Sequence, residues 1–75
     1  VDALTGPVER ADVSTIEKHI QSIQNISDAK ARADLMKIYL LLSEQLLAIA
    51  GEKHPERDYV KVAEVIDDEK HSIYI

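Results

Sequence analysis

Arg10, Asp12, Thr15 and His19 are the residues of this chain whose types and spacing are best suited to chemistry. On a helix, Asp12, Thr15 and His19 fall at steps of three and four residues, so all three share one flank and can face a cleft together. His19 is an acid/base group for neutral pH, and Arg10 can hold a carboxylate or phosphate of a substrate or cofactor. A plainer reading stands beside this one. Asp12 also suits a helix N-cap and Thr15 a bond within the first turn, which leaves His19 as a surface residue without a role. Thr5 with Gly6 and Pro7 divides in the same way, between close backbone approach to a ligand and a simple turn.

Other chemistries find little support. His19, His54 and His71 are far apart and the chain has no cysteine, so no metal site is expected. The acidic run Asp67–Glu69 lacks the glycine and alternating ligands of a calcium loop and reads as solvated surface. With only Gly6 and Gly51, the chain cannot build a glycine-rich dinucleotide or phosphate loop. Tyr39 can reach a substrate, but its place in an apolar run makes a core tyrosine with its hydroxyl at the edge the first expectation.

The elements that must position these residues read as helices. Glycine and proline number two each, aromatic residues are three tyrosines, and period-2 alternation is nearly absent, so the fold class is all-α. Gly6–Pro7 opens a short turn. Val13, Ile16, Ile20 and Ile23 then form a narrow apolar stripe on a first main helix, with Asp12 preferred over Ser14 as its N-cap. Ser27–Asp28 starts a second, long helix whose natural stop is Gly51. Its residues Met36 to Ile49 are apolar on more than one face, so it is a central helix that needs neighbours on several sides. A third helix is expected from Pro55 to near Asp67–Glu69, with Ser72–Ile75 as a short β-prone tail. The other two helices offer too little apolar surface to cover the central one, which predicts further protein against it.

Composition narrows the setting. A chain of 75 residues makes one domain with a marginal core. A net charge of -5 without a basic stripe argues against nucleic acid and against an anionic membrane surface. The longest apolar run, Ile38 to Leu42, is far below the ~20 residues that span a bilayer. A soluble, cytoplasmic protein is expected, and lack of cysteine agrees with an intracellular origin.

The pattern Leu4-Thr5-Gly6-Pro7, followed by Arg10, Asp12, Thr15 and His19, resembles the C-terminal helical domain of Rossmann-type oxidoreductases of the domain of unknown function 2520 family, distant kin of ketopantoate reductase and phosphogluconate dehydrogenase. The likeness is specific over residues 3 to 20 and looser over 30 to 50, around Tyr39 and Ala48–Ala50. It implies that residues 1–75 are a three-helix portion of a larger helical C-terminal domain, lacking the N-terminal Rossmann domain and the long helix that leads out of it. It also implies a substrate-cleft and dimerisation role in an NADP-dependent oxidoreductase, with NADP held by the missing domain and this fragment alone inactive. The implied site is His19 and Arg10 as catalytic residues with Thr5 and Asp12 binding substrate. The implied partner, through residues 35–50, is the Rossmann domain or a second subunit of a homodimer. The chain departs from the family at Ala11, where a glycine is common. The alternative from a different class is a stand-alone three-helix interaction module that dimerises through its middle helix and does no chemistry.

Overall fold

A computed structural model describes residues 2–74, with side chains from Gly6 to Ile73. These residues form four helices, α1 (Asp2–Glu9), α2 (Val13–Gln24), α3 (Ala29–Lys53) and α4 (Val60–Tyr74). The all-α expectation and the long central helix are both met. The addition is α1, because Gly6 and Pro7 lie inside a helix instead of opening a turn.

The turn falls three residues later, and its geometry is specific. Ala11 N–H donates to the Val8 carbonyl (3.0 Å) and Asp12 N–H to the Pro7 carbonyl (2.8 Å), with Ala11 at φ 55°. This bonding is a Schellman cap that ends α1, with Ala11 in the left-handed position usually given to glycine. The chain thus meets, with an alanine, the backbone requirement that a glycine meets at no steric cost. Asp12 then caps α2 directly, as the sequence favours.

Asp28 caps α3, accepting from Ala31 N–H, and Arg32 Nη1 donates to the Ile26 carbonyl (2.8 Å), fastening the α2–α3 loop. The helix then continues through Gly51 to Lys53, past the expected stop. Gly51 does not adopt positive φ, and the break falls at His54, whose φ of -130° is non-helical. Pro55 is the cause, since proline disfavours helical backbone in the residue before it. Pro55 therefore ends α3, and the expected third helix starts at Val60, where Asp58 accepts from Val60 N–H (3.0 Å). That helix also runs beyond Asp67–Glu69 to Tyr74, so the expected β-prone tail is helical in its described part. The acidic run sits inside the helix, away from the C-terminal dipole, and two cross-helix bonds use this stretch. Gln24 Nε2 donates to Glu69 Oε1 (3.0 Å), and Lys70 Nζ to Glu44 Oε2 (3.0 Å).

Helix α3 packs against each of the other three helices. The core gathers Val8 from α1, Ile16 and Ile20 from α2, Met36 and Leu40 from α3, and Val62 and Ile66 from α4. The isoleucine stripe is thus the inward face of α2. Part of α3 is bare: Leu35, Ile38, Leu41 and Ile49 are between 45% and 62% exposed, and Leu42, at the edge of this face, is 46% exposed. Among the described residues, no helix is long and apolar enough to cross a membrane.

Candidate functional site

The four residues that open the sequence argument separate into two groups. Asp12, Thr15 and Arg10 form one. Thr15 N–H donates to Asp12 Oδ1 (3.2 Å), Thr15 Oγ1 donates to Asp12 Oδ2 (2.7 Å), and Arg10 Nη2 lies 3.7 Å from Asp12 Oδ2. These bonds from Thr15, with the Arg10 charge, hold the Asp12 carboxyl below the usual carboxylate range against a smaller opposing effect of burial. Both Asp12 oxygens are thereby engaged in holding the start of α2. The Arg10 guanidinium lies against Gly6, where an added Cβ would meet its Nη1 at 3.2 Å, so the glycine leaves room for the arginine to lie along α1. The side chain of Thr5 lies outside the described residues.

His19, one turn further along α2, turns to α3. Its Nδ1 is 3.1 Å from the Tyr39 hydroxyl, and the two rings meet edge to face, with centroids 5.8 Å apart at 87°. Burial raises the Tyr39 hydroxyl above its ordinary pKa, offset in part by the Ser43 hydroxyl one turn on. Ser43 is only 3% exposed and is the buried polar side chain of the core region. The pair stands on the wall of a cleft of about 140 Å³ that α1, α2 and α3 form together, lined by Pro7, Val8, His19, Tyr39, Leu42, Ser43 and Leu46. Four apolar side chains therefore face one imidazole and two hydroxyls.

Tyr39 is the residue that sequence reasoning undervalued. Its ring is half-buried, as a core tyrosine's would be, but its hydroxyl meets His19 across twenty positions of chain. The available signal was the pair Tyr39 and Ser43, two hydroxyls at i,i+4 in an otherwise apolar stretch, which places them on one side of α3.

Two other features hold polar side chains. A groove of about 360 Å³ between α2 and α4 is lined by Glu17, Gln21, Gln24, Asp68, Glu69 and neighbours, and Gln24 spans it to Glu69. At the end of α1, Glu9 is held by the α3–α4 loop: its carboxylate is 2.8 Å from His54 Nε2, and its carbonyl accepts from Arg57 Nη1 (2.8 Å) and the Tyr59 hydroxyl (2.6 Å). Among the described residues, no group of three or more His, Asp or Glu is placed to hold a metal ion.

A helical domain whose N-terminal motif delivers a histidine to a tyrosine on a central helix is the class that fold and site define. The chain belongs to the family described as Domain of unknown function (DUF2520), whose model matches residues 1–46. That segment contains α1, α2, most of α3 and every residue that lines the His19–Tyr39 cleft. The α2–α4 groove and the Glu9 clamp both draw on residues beyond it. The chain matches no curated protein and no solved structure.

Proposed function

We propose that residues 1–75 are the cleft-forming and dimerising part of the helical C-terminal domain of an NADP-dependent oxidoreductase, with NADP bound by a Rossmann domain of the same polypeptide. The observation that carries this reading is the His19–Tyr39 pair at 3.1 Å in a cleft contained within the family-matched segment. His19 would move a proton to or from the substrate oxygen as the acid/base group, and NADP, held by the Rossmann domain, would supply the hydride chemistry. Arg10, which lies beside Gly6 and Asp12, offers its charge to an anionic group of the cofactor, and Thr5 is a further binding residue. Asp12 acts through architecture, fixing the start of α2. The exposed apolar face of α3 is covered by the Rossmann domain or a second subunit.

The test uses the full-length native polypeptide. Saturable NADPH binding is expected, unchanged in His19→Gln, together with reductase turnover that falls in His19→Gln by roughly 100-fold, as the loss of an acid/base group implies. Absence of NADPH binding overturns the reading.

A second reading, a stand-alone interaction module of cytoplasmic location, rests on the same bare face of α3, with Ile38 and Leu41 above 60% exposed. In that case Leu41→Glu abolishes self-association in sedimentation, and NADPH does not bind.

A further inference from the structure

We propose that the cleft between α1, α2 and α3 is a binding site for a small uncharged carbonyl compound, a ketone or aldehyde, whose oxygen is received by the His19–Tyr39 pair and whose alkyl part lies against Pro7, Val8, Leu42 and Leu46. Tyr39 is thereby assigned to ligand binding. The proposal rests on the cleft reading above, and it names the substrate class.

The donor count selects the class. A neutral imidazole carries one N–H and a phenol one O–H, so the pair holds two donors. The bond between them uses one, in either tautomer of His19. Ser43 donates to the Tyr39 oxygen, which leaves the Tyr39 hydroxyl to donate to His19 Nδ1, and Nε2–H is then the donor that remains. Burial raises the Tyr39 pKa above its ordinary value, so the phenol holds its proton as a donor. What the pair lacks is an acceptor of hydrogen bonds from outside, and a carbonyl oxygen supplies one.

The walls select against charge. The cleft is open, with His19 and Leu42 at its exposed edge, but its walls are mostly apolar and offer a carboxylate or ammonium no charged partner. A neutral ketone asks for a single donor at its oxygen and gains from burying its alkyl carbons. Size sets the scale as well. A volume near 140 Å³ is that of a cavity which accepts benzene, so the bound part has about six to eight non-hydrogen atoms.

The geometry is also held from outside the pair. The edge-to-face contact fixes the two rings relative to each other, and Ser43 sits buried beneath Tyr39 on the same helix. Val8 anchors α1 in the core, so the Pro7–Val8 wall is rigidly placed by the same Schellman cap that begins the α1–α2 turn.

Cyclohexanone and methylenecyclohexane make a matched probe pair, alike in shape, the second having a methylene in place of the oxygen. Each is titrated into the full chain while the methyl signals of Val8 and Leu46 and the ring signals of His19 are followed by NMR. Cyclohexanone is expected to shift all three, and to bind about fivefold more tightly than methylenecyclohexane, the preference one neutral hydrogen bond gives. Tyr39→Phe and His19→Ala are each expected to remove that preference while the far-ultraviolet spectrum stays helical. Equal binding of the two probes by the unaltered chain, or a preference that survives both substitutions, overturns the proposal. Because neither probe needs NADPH, loss of this inference leaves the oxidoreductase reading to its own test, and an absence of NADPH binding removes the ketone's role as substrate while the probe pair still reads ketone binding.

Discussion

Around the start of α2 the Arg10–Asp12–Thr15 group closes on itself within about one turn of chain, whereas the His19–Tyr39 pair joins two helices across twenty positions. Both groups are polar and both lie in the family-matched segment, and spacing alone joins Asp12 and Thr15 with His19 while leaving Tyr39 to the core. Their surroundings divide them. Thr15 satisfies both oxygens of Asp12, and the bonds do what an N-cap and its first turn do in any helix. The His19–Tyr39 bond caps nothing and stands on the wall of a cleft. Local closure accounts for the first group as architecture, whereas the cross-helix pair beside a cleft is the one on which the proposed site rests.

The comparison can be broken most severely at Ile16, which is 0% exposed and lies on α2 between the two groups. Ile16→Ala should cost about 3 kcal/mol by the usual cost of emptying a core site, enough to unfold much of so small a domain. Both groups should then be lost together, seen as collapse of the urea transition and of the His19 ring shifts. Loss of one group with retention of the other would mean that α2 is not the shared support.

A substitution at Asp12 should separate them. Asp12→Ala removes the cap and should lower the melting temperature by about 5 °C, while cyclohexanone binding by the folded chain stays the same. Ala11→Gly sharpens the architectural side in the opposite direction. Relief of the left-handed alanine, less the greater freedom of glycine in the unfolded chain, should stabilise by about 0.5–1 kcal/mol in urea unfolding. A destabilised Ala11→Gly chain would contradict the Schellman geometry at φ 55°.

The smallest effect is on pH. The Asp12 carboxyl is held below its ordinary range in the folded chain, so its contribution to stability is fully present above about pH 4 and is lost as pH falls through the lowered folded value. Stability of the native chain should therefore fall more steeply on acidification below about pH 4 than that of Asp12→Asn, whose cap does not titrate. Equal acid slopes would remove the Thr15 bonds as the cause.

Much of this architecture was legible in the chain. The isoleucine stripe and the Asp12 and Asp28 caps gave α2 and the start of α3, because those signals act over three or four residues. The misread boundaries came from punctuation that either a neighbouring residue or tertiary packing overrode. Gly51 is compatible with a helix interior, and the break was set by Pro55 acting on His54. Asp67–Glu69 continues α4 because Val62, Ile66 and Ile73 keep its apolar face against the core. At the candidate site, His19 could be picked from its type and its motif. Its partner could not, since nothing local to Tyr39 tells which helix crosses α3 at that height.

The most direct test of the division between architecture and site is reductase turnover of the full-length native polypeptide with NADPH and a panel of small ketones, comparing His19→Gln with Asp12→Asn. The account predicts turnover down by roughly 100-fold in His19→Gln, the contribution of a general acid/base, and essentially unchanged in Asp12→Asn at a temperature where both are folded. Full turnover in His19→Gln, or an equal loss in Asp12→Asn, would contradict it.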